Sequence, residues 1–183
     1  MKSRISNKKP IKFGQVLTIT NFSSPNVDDY AANLRKQKPG ISHEDLNREI
    51  LELVKRDSYY NALMDEVASA YEFELDEDEL RERMESVLQA NPSMPVENVR
   101  NMVSIPIYKK LIYDDLAKDW EVSITDEVVK DTLEQFYRET GQPIREYLMD
   151  KIKFEGVRST LVEQLITGRL MNAFKPVYKF PEQ

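Results

Sequence analysis

Two stretches of this chain align without a gap at an offset of 49 residues: LMDEVASAYEFELDEDELRERMESVL at residues 63–88 and IYDDLAKDWEVSITDEVVKDTLEQFY at residues 112–137. Each copy has the pattern of a helix end, a large aromatic residue (Tyr71 or Trp120), a short extended link, an N-cap and a new helix. The pattern predicts a duplicated helical hairpin. Only five glycines are available for tight β-turns, so the sequence predicts an all-α fold.

The second helix of each copy begins at a residue typical of N-caps. Asp76 is followed three residues later by Glu79, as in a capping box, and Thr125 holds the equivalent place in the second copy. A large aromatic side chain buries much apolar area where the preceding helix ends. We therefore expect Tyr71 and Trp120 to be largely buried, with the Trp120→Ala substitution the more destabilising of the two.

Helices are also predicted upstream of the first copy. One begins with Ser24 as its cap and Pro25 at the first helical position, and a second of about 28 residues begins after Ser42, with Asp45 in a variant capping box. The second helix carries a heptad seam with Asp57 in its one vacant slot. The seam consists of Leu46, Ile50, Leu53, Tyr60, Met64, Val67 and Tyr71. It predicts a helix packed on its neighbours along one face.

Downstream, residues 95–120 read as a helix that Pro106 kinks or divides near Ser104 or Ile105. Residues 144–174 read as one long helix that tolerates two glycines and ends before a proline. This terminal helix has an apolar face broader than one neighbour normally covers.

Charge is unevenly spread along the chain, whose net charge is −6. Five cations precede the first acidic residue, Asp28, and these are Lys2, Arg4, Lys8, Lys9 and Lys12. We interpret residues 1–22 as a basic N-terminal arm with a short extended segment, and residues 23–183 as a single helical domain. The arm is either a solvated tail or an electrostatic tether to an anionic partner. The acidic body argues against specific nucleic-acid binding.

The sequence carries no signature of catalysis, of a cofactor or of a metal site. It has no cysteine, and its one histidine, His43, follows a probable N-cap, where a solvent-facing role is expected. No phosphate-binding loop, dinucleotide-binding turn or nucleophile elbow occurs. No apolar run spans a bilayer. We therefore expect a cytoplasmic protein that is not an enzyme and binds neither cofactor nor membrane.

The quoted helix entries, YEFELDEDEL at 71–80 and WEVSITDEVV at 120–129, together with KFEGVRSTLVEQLITGRLMNAF at 153–174, resemble the carboxy-terminal, substrate-binding domain of bacterial trigger factor. The resemblance covers roughly residues 42–175. It is closer still to short stand-alone trigger-factor-like chaperones of wall-less bacteria, and the helical domain of SurA is similar in kind. The resemblance implies a helical body with long helices, projecting arms and a cradle that holds unfolded chains without ATP.

The chain departs from trigger factor at its amino-terminal end. The ribosome-docking loop pattern is absent, and 183 residues leave no room for a prolyl isomerase domain. Ribosome binding and isomerase activity are therefore not carried over from the resemblance. The partners it implies are unfolded or nascent polypeptides.

Candidate polypeptide-binding residues lie on the terminal helix and near Pro106. Methionine and other adaptable apolar side chains suit contact with varied sequences. The candidates are Met94, Val99, Met102, Ile105, Val162, Ile166, Leu170 and Phe174. The sequence thus predicts an ATP-independent chaperone or holdase. The alternative is a helical scaffold or homodimeric interaction module with one defined partner.

Overall fold

The structure, a computed structural model, describes residues 2–180. Over these residues the chain is largely helical, which confirms the predicted helical class. The helices are α1 Val27–Gln37, α2 His43–Ala68, α3 Glu77–Ala90, α4 Val96–Asp119, α5 Asp126–Thr140, α6 Arg145–Met149 and α7 Lys151–Ala173. Four short strands accompany them: β1 Arg4–Lys8, β2 Val16–Ile19, β3 Tyr71–Glu74 and β4 Lys175–Tyr178.

The chain divides into two compact units, each assembled from separate stretches of sequence. The first unit takes the residues up to Lys8 together with Tyr71–Arg169, and the second takes Lys9–Ala70 and the residues from Leu170 onward. The segment predicted as one arm over residues 1–22 is therefore shared between two units. Both capped links of the sequence repeat lie in the first unit.

In the first unit, β1 pairs antiparallel with β3, with Arg4 opposite Glu74 and Lys8 opposite Tyr71. This two-stranded sheet lies on an apolar cluster formed mainly by α3 and α4. The buried members of the cluster are Leu80, Val103, Ile107 and Leu111, and Ile5, Phe73, Leu75, Met84 and Val87 pack against them.

In the second unit, β2 pairs in parallel with β4. The Tyr59 hydroxyl of α2 donates to the carbonyl oxygens of Met171 and Phe174, at 2.8 and 3.1 Å. A separate apolar cluster joins α1 to α2 through buried Ala31, Leu34 and Leu46.

The N-cap predictions are confirmed for α2, α3 and α5 and wrong for α1. Ser42, Asp76 and Thr125 each accept a hydrogen bond from the backbone N–H three residues on. At α1 the cap position belongs to Asn26, and Ser24 lies outside the helix. The Ser24 hydroxyl instead donates to Asp57 of α2 at 2.6 Å, which engages the polar residue in the vacant slot of the heptad seam.

The buried face of α2 follows the predicted seam only in part. Leu46, Leu53 and Val67 are buried as predicted, but Tyr59 and Leu63 are buried in place of their neighbours Tyr60 and Met64. Helix geometry accounts for this shift. An α-helix has 3.6 residues per turn and drifts by about 20° per heptad, so its buried face does not keep a strict seven-residue repeat.

Two predicted helix divisions differ from the structure. Pro106 does not divide its helix, because α4 continues through it from Val96 to Asp119. Burial of Val103 and Ile107 on either side holds the helix together despite the lost backbone donor. The predicted single helix over 144–174 is instead divided into α6 and α7. Asp150 separates them, and its carboxylate accepts from the N–H groups of the residues that begin α7.

Candidate polypeptide-binding surface

The eight candidate polypeptide-binding residues fall into three groups. Four are buried, namely Val99, Ile166, Leu170 and Phe174. Two are half-buried, Met94 and Val162. Met102 and Ile105 of α4 are exposed, at 55% and 64%. A buried side chain has no surface to offer a ligand, so in this conformation only the two exposed residues are fully placed for contact with a polypeptide.

A larger group of exposed apolar side chains lies elsewhere in the first unit, where α5 ends, α6 runs and α7 begins. We call this group the 136–152 surface. Its members are Phe136, Tyr137, Tyr147, Leu148, Met149 and Ile152. Ile152 is 84% exposed and Met149 is 77% exposed. Single exposed apolar residues are common, but six large ones within 17 residues of chain resemble the apolar patches of interaction sites.

Local sequence explains why this segment leaves its apolar side chains exposed. Gly141 ends α5 in the left-handed conformation, with φ of 69°, which a residue with a Cβ adopts reluctantly. Asp150 then starts α7 by accepting from the N–H of Ile152 at 2.8 Å and from that of Lys153 at 3.2 Å. Helix α6, only five residues long between these two stops, contributes no fully buried residue.

Charged side chains in this segment pair with one another. Lys153 of α7 forms an ion pair with Glu146 of α6, and Arg138 pairs with Glu134 within α5 at 3.4 Å. Exposed pairs of this kind contribute at most about 1 kcal/mol each. Charged side chains therefore alternate with the exposed apolar ones along this segment of the sequence.

Metal-binding and membrane-spanning features were sought in the same part of the chain. Within residues 2–180, no cluster of three or more His, Cys, Asp or Glu side chains is arranged to hold a metal ion. His43 is exposed at the start of α2, with its Nδ1 3.1 Å from Nδ2 of Asn47. Over that range, too, no helix combines the length and the apolar character needed to cross a bilayer.

The two aromatic anchors of the sequence repeat differ in burial. Tyr71 is buried, as predicted, and its hydroxyl donates to Asp115 Oδ2 at 2.9 Å. Burial together with this hydrogen bond raises the pKa of Tyr71. Trp120 is also mostly covered, though less completely than Tyr71. The guanidinium of Arg169 lies 5.9 Å from the Trp120 ring centroid and donates to its carbonyl oxygen.

Two of the five cations at the N-terminus, Arg4 and Lys8, form ion pairs within the first unit. Arg4 forms an ion pair with Glu74 at 2.7 Å, and Lys8 forms ion pairs with Asp115 and Asp119 of α4. These residues belong to β1, so the interpretation of the segment as a solvated tail is wrong for them. Deleting residues 1–12 would remove a strand of the first unit.

The exposed residues of the 136–152 surface were not among the sequence candidates. The sequence pattern predicts one continuous helix over residues 144–174. Within such a helix, nothing marks Tyr147, Leu148 and Met149 as more exposed than the other apolar residues. The available signal was Asp150 directly after this apolar run, because aspartate is a strong N-cap residue. A second helix start at that point predicts a short, poorly buried α6.

Together, these features define a largely helical protein of two compact units, the first of which has a segment rich in exposed apolar side chains. No protein-family model matches the sequence. The chain is 32% identical over 178 residues to a Mycoplasma pneumoniae protein described as an uncharacterized homologue of MG377. It is 29% identical over 178 residues to the uncharacterized protein MG377 of Mycoplasma genitalium. Each alignment covers 96% of this chain and 92% of the relative.

A solved structure is similar over the full length. The crystal structure of the hypothetical Mycoplasma protein MPN555 matches with a TM-score of 0.76 and 31% sequence identity, covering 100% of this chain and 94% of that one. The chain therefore belongs to the family of Mycoplasma proteins that includes MG377 and its homologue.

Proposed function

We propose that this protein is an ATP-independent chaperone, a holdase that binds unfolded or nascent polypeptides through exposed apolar side chains. The observation that carries the proposal is the 136–152 surface, with six large apolar side chains exposed close together in sequence. Met102 and Ile105 of α4 add two further exposed apolar residues in the same unit.

The chemistry of this surface suits varied clients. Methionine is flexible and polarisable, and tyrosine combines an apolar ring with a hydroxyl, so both adapt to different partner side chains. Complete burial of one large apolar side chain contributes about 1.5–3 kcal/mol before ordering costs are counted. A few such contacts with a flexible client leave net affinities in roughly the micromolar range or weaker. Weak binding allows a holdase to release its client without nucleotide hydrolysis.

The resemblance to the substrate-binding domain of trigger factor supports the same function. That resemblance rests on the helix entries at 71–80 and 120–129 and on the terminal helix. It supports the more specific part of the proposal, which is that the bound partners are unfolded polypeptides held without ATP. In this view the long helices form a trigger-factor-like body that works in the cytoplasm. The ribosome-docking loop pattern does not occur in these 183 residues, and ribosome docking is not part of the proposal.

Aggregation of a chemically unfolded client tests the proposal. Equimolar protein without nucleotide is expected to slow the rise in light scattering, and the double variant Met149→Ser with Ile152→Ser is expected to slow it several-fold less. Leu148→Ser and Leu51→Ser form a matched pair, because the two leucines are each 41% exposed on a helix. Leu148→Ser should weaken protection, whereas Leu51→Ser, in the second unit, should not.

Self-association separates this proposal from the scaffold alternative. If the 136–152 surface is the interface of a homodimer, sedimentation will show a stable dimer that Met149→Ser with Ile152→Ser converts to monomer. Such a result, combined with unchanged scattering at a tenfold excess over several unrelated clients, would replace the holdase by a dimeric interaction module.

A further inference from the structure

Strand β1 lies on the first unit in the manner of a bound peptide. It comes from the start of the chain, pairs in antiparallel register with the edge of β3, and places Ile5 opposite Phe73. Peptide-binding domains commonly capture extended segments in this way, with backbone pairing for affinity and side-chain pockets for selectivity. Three separate contacts hold β1 on the first unit, and they define which segments the edge of β3 accepts.

The first contact is apolar. Ile5 packs against the buried cluster of Leu80, Val103, Ile107 and Leu111, and Phe73 of β3 packs against the same cluster. The β1 side chain that faces the unit here is thus a branched aliphatic one. This pocket requires an apolar residue at the centre of the segment.

The second contact fixes the start of the segment. Glu79 Oε2 accepts from the N–H groups of Lys2 and Ser3 and from the Ser3 hydroxyl, at 3.0–3.1 Å. The Ser3 hydroxyl also accepts from the N–H of Asp76, the N-cap of α3. In a capping box the glutamate would reach the N-cap N–H itself. Here Ser3, the residue directly before β1, is inserted between them, and it is 4% exposed.

The third contact fixes the end of the segment by charge. A bulge between Ile5 and Asn7 adds one residue to β1, so Lys8 rather than Asn7 is turned toward the unit. Its ammonium donates to Asp115 Oδ2 at 2.6 Å and also to Asp119. Partial burial acts to lower the pKa of Lys8, but these hydrogen bonds outweigh it and raise that pKa. The site therefore selects a cation.

We propose that the edge of β3, with Glu79 at one end and Asp115 and Asp119 at the other, is a peptide-binding groove that β1 occupies in cis. We name it the β3 groove. The ligand in trans is an extended segment of an unfolded polypeptide with an apolar residue followed three positions later by Lys or Arg. A cation directly before the apolar residue pairs with Glu74, as Arg4 does. Displacement of β1 by such a segment is the step that loads the groove.

The cis strand makes the groove selective in a second way. A tethered segment acts at an effective concentration of about millimolar. The apparent affinity for a segment in trans is therefore the intrinsic affinity multiplied by the fraction of molecules in which β1 leaves the groove free. Only segments that match the apolar and cationic positions compete with β1. Ion pairs at both ends of the groove weaken with salt, which eases the release of β1 but weakens the trans ligand as well.

This groove is separate from the 136–152 surface, and the inference does not depend on protection from aggregation. It is tested by direct binding of one peptide, fluorescein-labelled KSRISNKK, which has the sequence of residues 2–9. Fluorescence anisotropy is measured with the full chain and with a full-length release variant carrying Ile5→Asp and Lys8→Glu. The release variant is expected to bind the peptide at least tenfold more tightly than the parent. The charge-reversed peptide KSRDSNEK is expected to bind neither.

A covalent lock tests the same groove without weakening β1. Arg4 and Glu74 are exposed and directly opposed in the register, and the chain has no cysteine, so Arg4→Cys with Glu74→Cys can form a single disulfide. Oxidation should reduce peptide binding at least tenfold, and reductant should restore it. This comparison within one protein decides the question even if the release variant loses its helical circular dichroism.

Two results would overturn the inference. One is equal peptide binding by the oxidised and reduced forms of the locked variant. The other is a folded release variant that binds KSRISNKK no better than KSRDSNEK. Protection of a client that depends on the 136–152 surface would survive either result, so failure of this inference is distinguishable from failure of the proposed function.

Discussion

The two copies of the sequence repeat share their caps and the helices that follow, but their extended links are held by different means. In the first copy, residues 71–74 form β3, and its edge is paired with β1. In the second copy, the equivalent residues 120–123 form no strand. Arginine side chains of α7 hold this link instead, with Arg158 donating to the carbonyl oxygen of Ile124 and Arg169 to that of Trp120.

The difference shows that the sequence repeat specifies where the helices begin and which of their residues are buried. It does not specify which other segments contact the extended links. Both copies bury the same position of the second helix, Leu80 in one and Val129 in the other. Glu79, which holds the start of β1, is replaced in the second copy by Val128, which is 43% exposed. The first copy therefore binds a segment of its own chain, and the second leads into the 136–152 surface.

The largest expected difference between the copies is at their aromatic anchors. Tyr71→Ala should destabilise the protein by about 3–5 kcal/mol, because it empties a buried site and removes one of the two hydrogen bonds to Asp115 Oδ2, leaving the one from Lys8. Trp120→Ala should lose only about 1–3 kcal/mol, because the indole is half-buried. Urea unfolding of both variants measures the two values, and Tyr71→Phe, which keeps the ring, should lose about 1 kcal/mol. A larger loss for Trp120→Ala would restore the order expected from sequence.

A medium effect is expected where Glu79 and Val128 occupy equivalent positions. Burial acts to raise the pKa of Glu79, but hydrogen bonds from Ser3, Lys2 and Arg83 outweigh it and lower that pKa from 4.5 to about 2. A folded-state pKa below the unfolded value stabilises the protein above pH about 4.5, and this stability is lost as the pH falls toward 2. Glu79→Gln should therefore lose about 1–3 kcal/mol at pH 7.

The pH profile supplies the control for that substitution. Between pH 5 and pH 2 the parent should lose stability more steeply than Glu79→Gln, since the variant lacks the ionising group. Val128→Gln, at the matched position of the second copy, should change the free energy of unfolding by no more than about 0.5 kcal/mol at any pH between 5 and 2. Identical slopes for the parent and Glu79→Gln would show that the carboxylate does not hold β1 in solution.

The smallest expected effect is at the caps, which the copies share. Asp76→Ala and Thr125→Ala should each destabilise the protein by roughly 0.5–2 kcal/mol. Asp76 should stand at the upper end, because it accepts from the Glu79 N–H at 2.8 Å, whereas Thr125 accepts from the Val128 N–H at 3.4 Å. Thermal unfolding measures both. A Thr125→Ala loss above that of Asp76→Ala would show that the shorter hydrogen bond at Asp76 does not make the stronger cap.

The accuracy of sequence interpretation followed the range of the interactions involved. Caps at Ser42, Asp76 and Thr125 were predictable because each depends on a backbone N–H three residues away. The strand pairs were not, because β1 meets β3 across about 70 residues and β2 meets β4 across about 160. The candidate site was predictable only in Met102 and Ile105. The 136–152 surface was not predicted, because it depends on a helix break at Asp150 and the apolar pattern of the sequence continues across that break.

The sequence by itself determined the helical class and three of the N-caps, because these follow from apolar periodicity and from side chains that bond the nearby backbone. Tertiary structure alone decided which apolar residues are core. Phe174 and Met149 look equally apolar in the sequence, yet one is 3% and the other 77% exposed. It also decided that the basic N-terminus becomes a strand, because the carboxylates that hold Lys8 come from residues more than 100 positions away. Burial and charge pairing depend on neighbours in space, which a linear pattern does not specify.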